Sequence, residues 1–148
     1  MADTYALTKL LDVREKEKKD AQKAYEKSLH FFEEVATRLY TLLKKKENAE
    51  ASYERYLTNT VPLNKIKGQL TYIQQLNRQI MTLQKDVQTA RRELEKKQQT
   101  LTDAYVEVKK FEKIIEHRKL KQENIRKKQE LQAMDEASVQ QFLYGKNR

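Results

Sequence analysis

The stretch IKGQLTYIQQLNRQIMTLQKDVQTARRELEKKQQTLTDAYVEVKKFEKII, residues 66–115, decides the fold. One position of its heptad reads Ile66, Ile73, Ile80, Val87, Leu94, Leu101, Val108, Ile115 without interruption, and its companion reads Leu76, Leu83, Ala90, Lys97, Ala104, Phe111. β-Branched residues at one seam position and Leu or Ala at the other let side chains from a facing helix enter the holes between them. The stretch therefore predicts one long helix that needs a helical partner along one face.

The partner lies upstream. From Leu7 to Tyr56 a register of alternating three and four steps has 15 positions, and 11 are apolar: Leu7, Leu11, Ala21, Tyr25, Phe32, Val35, Leu39, Leu42, Ala49, Tyr53 and Tyr56. Arg14, Lys18, Ser28 and Lys46 interrupt it. Between the two seams, residues 58–65 (TNTVPLNK) hold the only Pro, with β-branched residues that weaken a helix and polar ones, Thr60 or Asn64, that can cap the next. Pro62 is tolerated only in a first turn, where its missing N–H costs nothing.

Counting outward from this break pairs residues whose numbers add to about 119, which sets Leu7 opposite Glu112 and Ile115, where the aliphatic run ends. At about 1.5 Å per residue, a first helix of roughly 50 residues spans about 80 Å, and the second continues past it. The fold expected is all-α: a long antiparallel two-helix coiled-coil hairpin with the second helix overhanging. It forms a single domain over 1–148, with helix 1 at about 4–57, a turn at 58–63 and helix 2 at about 64–133. A short C-terminal turn or helix at 135–144 follows, capped by Asp135 or Ser138 and ended by Gly145.

Composition agrees. Two Gly and one Pro in 148 residues cannot supply the turns of a multi-strand sheet, and 36% charged against 38% apolar residues is lean for a compact core. Having no Cys removes disulfides, thiolate metal sites and thiol nucleophiles. No segment approaches the roughly 20 apolar residues of a membrane span, and Met1-Ala2-Asp3-Thr4 lacks the basic and apolar regions of a signal peptide.

Charge is placed unevenly. Up to Val61 there are 12 basic and 11 acidic residues, and from Pro62 onward 19 and 11, so the halves carry +1 and +8 of the net +9. Residues 109–128 hold nine basic side chains against Glu112, Glu116 and Glu123. Beyond Ile115 the seam positions become Arg118 and Gln122, and hydrophobes thin out to Leu120, Ile125, Leu131 and Met134. Such a run can be a solvated helix face, a non-specific phosphate-binding surface or a membrane-surface segment. Interspersed Glu and the lack of interleaved aromatics disfavour nucleic acid, and sparse apolar residues disfavour a membrane surface. An acidic or carboxylate-lined protein partner fits best, because the overhang offers charge for steering and apolar anchors that the hairpin leaves uncovered.

Catalysis has little to stand on. His30 falls nearest residue 89 in the hairpin, about 28 residues or some 40 Å from His117. No metal spacing, nucleophile elbow or Gly-rich phosphate loop occurs. Glu33-Glu34 and the Glu93, Glu95 pair lie amid basic residues at helical spacing, which suits i,i+4 ion pairs better than acid–base work. The chain reads as a non-enzyme without cofactor or metal. Arg14, Lys18, Lys46 and Lys97 set register or snorkel from the seam. Tyr40, Tyr53, Tyr56 and Tyr72 gather near the bend, packing it or, where they face outward, offering interface anchors.

Three segments carry a resemblance to a known family: LTKLLDVREKE at 7–17, YIQQLNRQI at 72–80 and MDE at 134–136. With VEVKKFEK at 106–113, they make the chain resemble the FliJ family, coiled-coil components of the bacterial flagellar type III export apparatus, over nearly its full length. The resemblance implies a hairpin similar to the stalk subunit of rotary ATPases. It would sit in the cytoplasm, peripheral to the inner membrane at the flagellar basal body, and serve flagellar biogenesis, protein export and motility.

Its implied partners are the hexameric flagellar export ATPase, entered by the terminal half of the hairpin, the cytoplasmic domain of the membrane export-gate protein, met near the bend, and export chaperones. Carried over by position, the gate-facing residues are Leu42, Tyr72, Leu76 and Gln79. Two aromatic positions that the family can use on the first helix fall at Lys45 and Ala49. Combining the resemblance with the charge map gives an ATPase-facing set of Leu7, Leu10, Leu11, Arg14, Lys119, Lys121, Arg126, Lys127 and Lys128. The alternative function is a coiled-coil scaffold, a chaperone-like hairpin or a nucleic-acid-binding rod unrelated to export.

Overall fold

The computed structural model describes residues 2–146, and all of them except 59–62 are helical. Helix α1 spans Ala2–Thr58 and helix α2 spans Leu63–Lys146. The result is a helical hairpin without strands among the described residues. Every one of the 15 seam positions expected on α1 is buried or half-buried, including the four polar interruptions. On α2 the same is true of Ile66 through Ile115 in one row and Leu76 through Phe111 in the other. Heptad periodicity thus fixed which face each helix turns inward.

The link is tighter than a 58–63 turn. Thr58 ends α1 by donating its hydroxyl to the Arg55 carbonyl (3.1 Å), and the Pro62 carbonyl accepts from the Lys65 and Ile66 amides at 3.0 and 3.4 Å. Pro62 therefore stands just outside α2 as its cap, where a residue without N–H and with fixed φ loses nothing. At the other end, α2 continues through Met134, Asp135, Ser138 and Gly145 to Lys146 as one helix, without the separate element expected at 135–144. Leu131, Gln132, Ala133, Met134, Glu136 and Ala137 are strong helix formers around Asp135, so a single weak position does not interrupt the hydrogen-bond ladder.

The hairpin divides into two compact units: residues 1–18 with 104–148, and residues 19–103. A seam only two helices thick has no central core, so contacts stay local along it. In the unit of residues 19–103, Ala49, Ile73 and Leu76 form a buried cluster flanked by Leu42 and Tyr53, and Gln69 donates from Nε2 to the Ala49 carbonyl at 3.0 Å. Lys46 and Lys97 keep their stems in the seam and pair with Glu50 (3.8 Å) and Glu93 (3.5 Å) of their own helices.

Gly68 sits inside α2 with ordinary helical backbone, and an added Cβ there meets nothing within 4 Å. Gly68→Ala is expected to raise stability by about 0.5–1 kcal/mol through the reduced entropy of the unfolded chain. A shift in the urea midpoint without a change in slope checks this.

In the unit of residues 1–18 and 104–148, burial ends at Val108 and Ile115 on α2. From Glu116 to Gly145 every residue is exposed. Leu11, one turn along α1 from Leu7, lines a groove with Glu112 and Ile115, in the neighbourhood expected to face the start of α1. Each knob sits among four residues of the facing helix, so pairing counted from a bend is defined only to about a turn.

Candidate functional site, a basic helix end and a groove near the bend

At the chain-terminal end, the seam is built from unusual residues. Arg14 lies over the Phe111 ring at 5.8 Å from its centroid while its Nη1 holds both Glu17 carboxylate oxygens at 3.0 Å. Lys18 lies over the Tyr105 ring at 4.5 Å. The polar seam positions of α1 here are cation–π contacts across the hairpin, which lets a charge occupy a seam position without losing its partner. The sequence reading missed these pairs, although the signal was present in basic seam residues at 14 and 18 facing a row that ends in Phe111. Phe111→Ala is expected to cost about 3 kcal/mol, from lost aromatic burial and the lost Arg14 contact. Phe111→Leu should recover most of the burial but not the cation–π share, as thermal unfolding of both variants can measure.

Just past these pairs a groove is lined by Leu11, Glu112, Ile115, Glu116, Lys119, Leu120 and Glu123. It opens onto the bare part of α2. Lys119, Lys121, Arg126, Lys127 and Lys128 are all exposed there, and Lys127 reaches Glu123 at 4.0 Å. At 100° per residue these five cations, together with Arg118, are spread around the helix with no gap wider than about 100°. On α1, Leu10 is 44% exposed, whereas Leu7, Leu11 and Arg14 are half-buried in the seam. The ATPase-facing set is therefore brought to one end of the hairpin, but its three seam members present only their edges.

The residues expected at the gate separate. Leu42 and Gln79 line one shallow groove with Arg78, Thr82 and Leu83. Tyr72 is 42% exposed outside it. Leu76 is only 3% exposed and belongs to the buried cluster, because its seam position points at Ala49 and Leu42 on α1. As a gate contact Leu76 is corrected to a core residue beneath that surface. Lys45 is exposed, and Ala49 is buried at 4% exposure.

No helix among the described residues is long and apolar enough to cross a membrane. His30 lies 3.3 Å from Glu34 of its own helix turn, an ion pair only when the imidazole is protonated. The ion pairs described all join residues three or four apart on one helix, which supports helix formation by a few tenths of a kcal/mol each and crosses no interface.

Residues 3–147 match the family described as the flagellar FliJ protein. The chain belongs to the FliJ family. The curated flagellar FliJ protein of Bacillus subtilis (strain 168) is 33% identical over 143 residues, which cover 97% of each chain. No solved structure matches the chain. Membership makes it a component of the flagellar export apparatus, with roles in flagellar biogenesis, protein export and motility.

Proposed function

We propose that the chain is a non-enzymatic adaptor of the flagellar export apparatus that binds and stimulates the hexameric export ATPase with its terminal end and couples it to the export gate near the bend. The observation that carries this reading is the exposed helix beyond Ile115, whose cations lie on every side. A flat partner would engage one side of such a helix; a ring that encloses it can place carboxylates on several of its subunits against the whole circumference. Near the bend, Tyr72, Leu42 and Gln79 supply an aromatic, an aliphatic edge and an amide on accessible surface, which suits a small protein interface. Export chaperones would share the exposed hydrophobes of the terminal end. On this reading the protein works in the cytoplasm, against the inner membrane only through the apparatus.

Two binding measurements test it. Full-length protein is mixed with the purified export ATPase hexamer and, separately, with the cytoplasmic domain of the gate protein, each followed by sedimentation. Cosedimentation with both, weakened by salt for the ATPase, is expected. Binding to neither, or equal binding to any duplex DNA with a steep salt slope, favours the scaffold or nucleic-acid alternative.

A further inference from the structure

The exposed part of α2 is not uniformly basic. From Arg118 to Lys128 it holds six basic residues against Glu123 alone, whereas residues 129–145 hold Glu130, Asp135 and Glu136 and no Lys or Arg. A second apolar stripe, distinct from the hairpin seam, runs along it at Leu120, Leu131 and Met134, which are 54%, 60% and 67% exposed. In a register of three and four steps this stripe reads Leu120, Asn124, Lys127, Leu131, Met134, Ser138, Gln141, and no described residue covers it.

We infer that the occupant of this stripe is the same segment of a second copy, laid antiparallel. Leu131 then packs on Met134 of the second copy, and by two-fold symmetry Met134 packs on Leu131. The neighbouring layers set Lys127 beside Ser138 and Asn124 beside Gln141, an amide pair of the kind that fixes register. On one flank, Lys128 faces Asp135 of the second copy, twice. On the other, Glu130 faces Ala137, so no like charges meet. The basic half of each copy lies along the acidic half of the other. A parallel arrangement would stack Lys127 on Lys127 and set Glu130 against Asp135, with only Glu123 against Lys128 in its favour, which makes it the weaker pairing. The stripe of about three heptads is short and partly polar, so the association is reversible and weak. Because Lys121, Lys127 and Lys128 lie in or beside this contact, a dimer would hide the surface proposed for the ATPase; the dimer itself stands without that reading.

Sedimentation velocity of the full-length protein from about 1 to several hundred µM tests the pairing. The average mass should rise reversibly from 17.7 kDa toward twice that value. Asp135→Lys should weaken association about tenfold or more, and the exchange Lys128→Asp with Asp135→Lys should restore it, since neither residue has a charged neighbour three or four positions away on its own helix. Circular dichroism confirms that each variant stays helical. A mass of one chain at every concentration, or a double variant no better than the single, overturns the inference and leaves the stripe to a different protein.

Discussion

With Lys119, Lys121, Arg126, Lys127 and Lys128 all changed to Glu, stimulation of the export ATPase should fall by roughly 100-fold in the concentration of protein required, each exposed contact contributing a modest share. The five side chains are exposed and take no part in the hairpin seam, so the packing of α1 on α2 should be retained. The Lys127 contact to Glu123 is lost, and the reversed charges at 119, 126 and 127 stand three or four residues from Glu116, Glu123 and Glu130, each such pair costing a few tenths of a kcal/mol of local helix stability. Changing the same residues to Gln separates lost attraction from added repulsion: an intermediate effect is expected, with a flatter dependence on salt. Stimulation that survives the reversal, in protein whose helicity is intact, would remove this surface from the ATPase contact.

The second large effect concerns stability. Leu76→Ala should cost about 2–3 kcal/mol, the lower part of the range for buried leucines, because a two-helix seam lets water reach the space left behind. For a chain of this length that lowers Tm by roughly 5–10 °C. Tyr72→Ala, four residues earlier and on the exposed side, should change stability by no more than about 0.5 kcal/mol while weakening binding to the gate domain. Thermal unfolding and gate binding measured on both variants distinguish a core residue from a contact residue. Equal stability for the two would mean that Leu76 is not buried in solution.

These two predictions divide where sequence and structure divide. The seam was legible because burial in a coiled coil follows a fixed period: residues as unlike as Ile80, Ser28 and Lys46 could be placed on the inner face by counting alone. The end of burial at Ile115 was legible for the same reason. What counting could not give was how a charged seam residue is satisfied. Lys46 turns to Glu50 on its own helix, while Lys18 turns across to Tyr105, and the choice depends on which side chain happens to stand within reach. The C-terminal boundary was missed because a cap-forming residue such as Asp135 signals a helix start only when the preceding residues cannot continue the ladder, and here they can.

The site was partly legible. Its basic end could be located from charge totals, but the acidic, apolar character of residues 129–145 was hidden by averaging over the overhang. At the bend, carrying positions over from a family assigned Leu76 to the surface although its own heptad register assigned it to the seam. The register was the better guide, since it reports a physical requirement of this chain.

On the proposed function, this hairpin acts on a ring ATPase through its bare helix end. Its most direct test is the hydrolysis rate of the purified export ATPase, at a concentration where hexamers only begin to form, titrated with the full-length protein. A saturable rise in rate at low salt is expected, lost in the variant with five reversed charges. A rate that stays flat across the titration, with no binding of the ATPase, would contradict it.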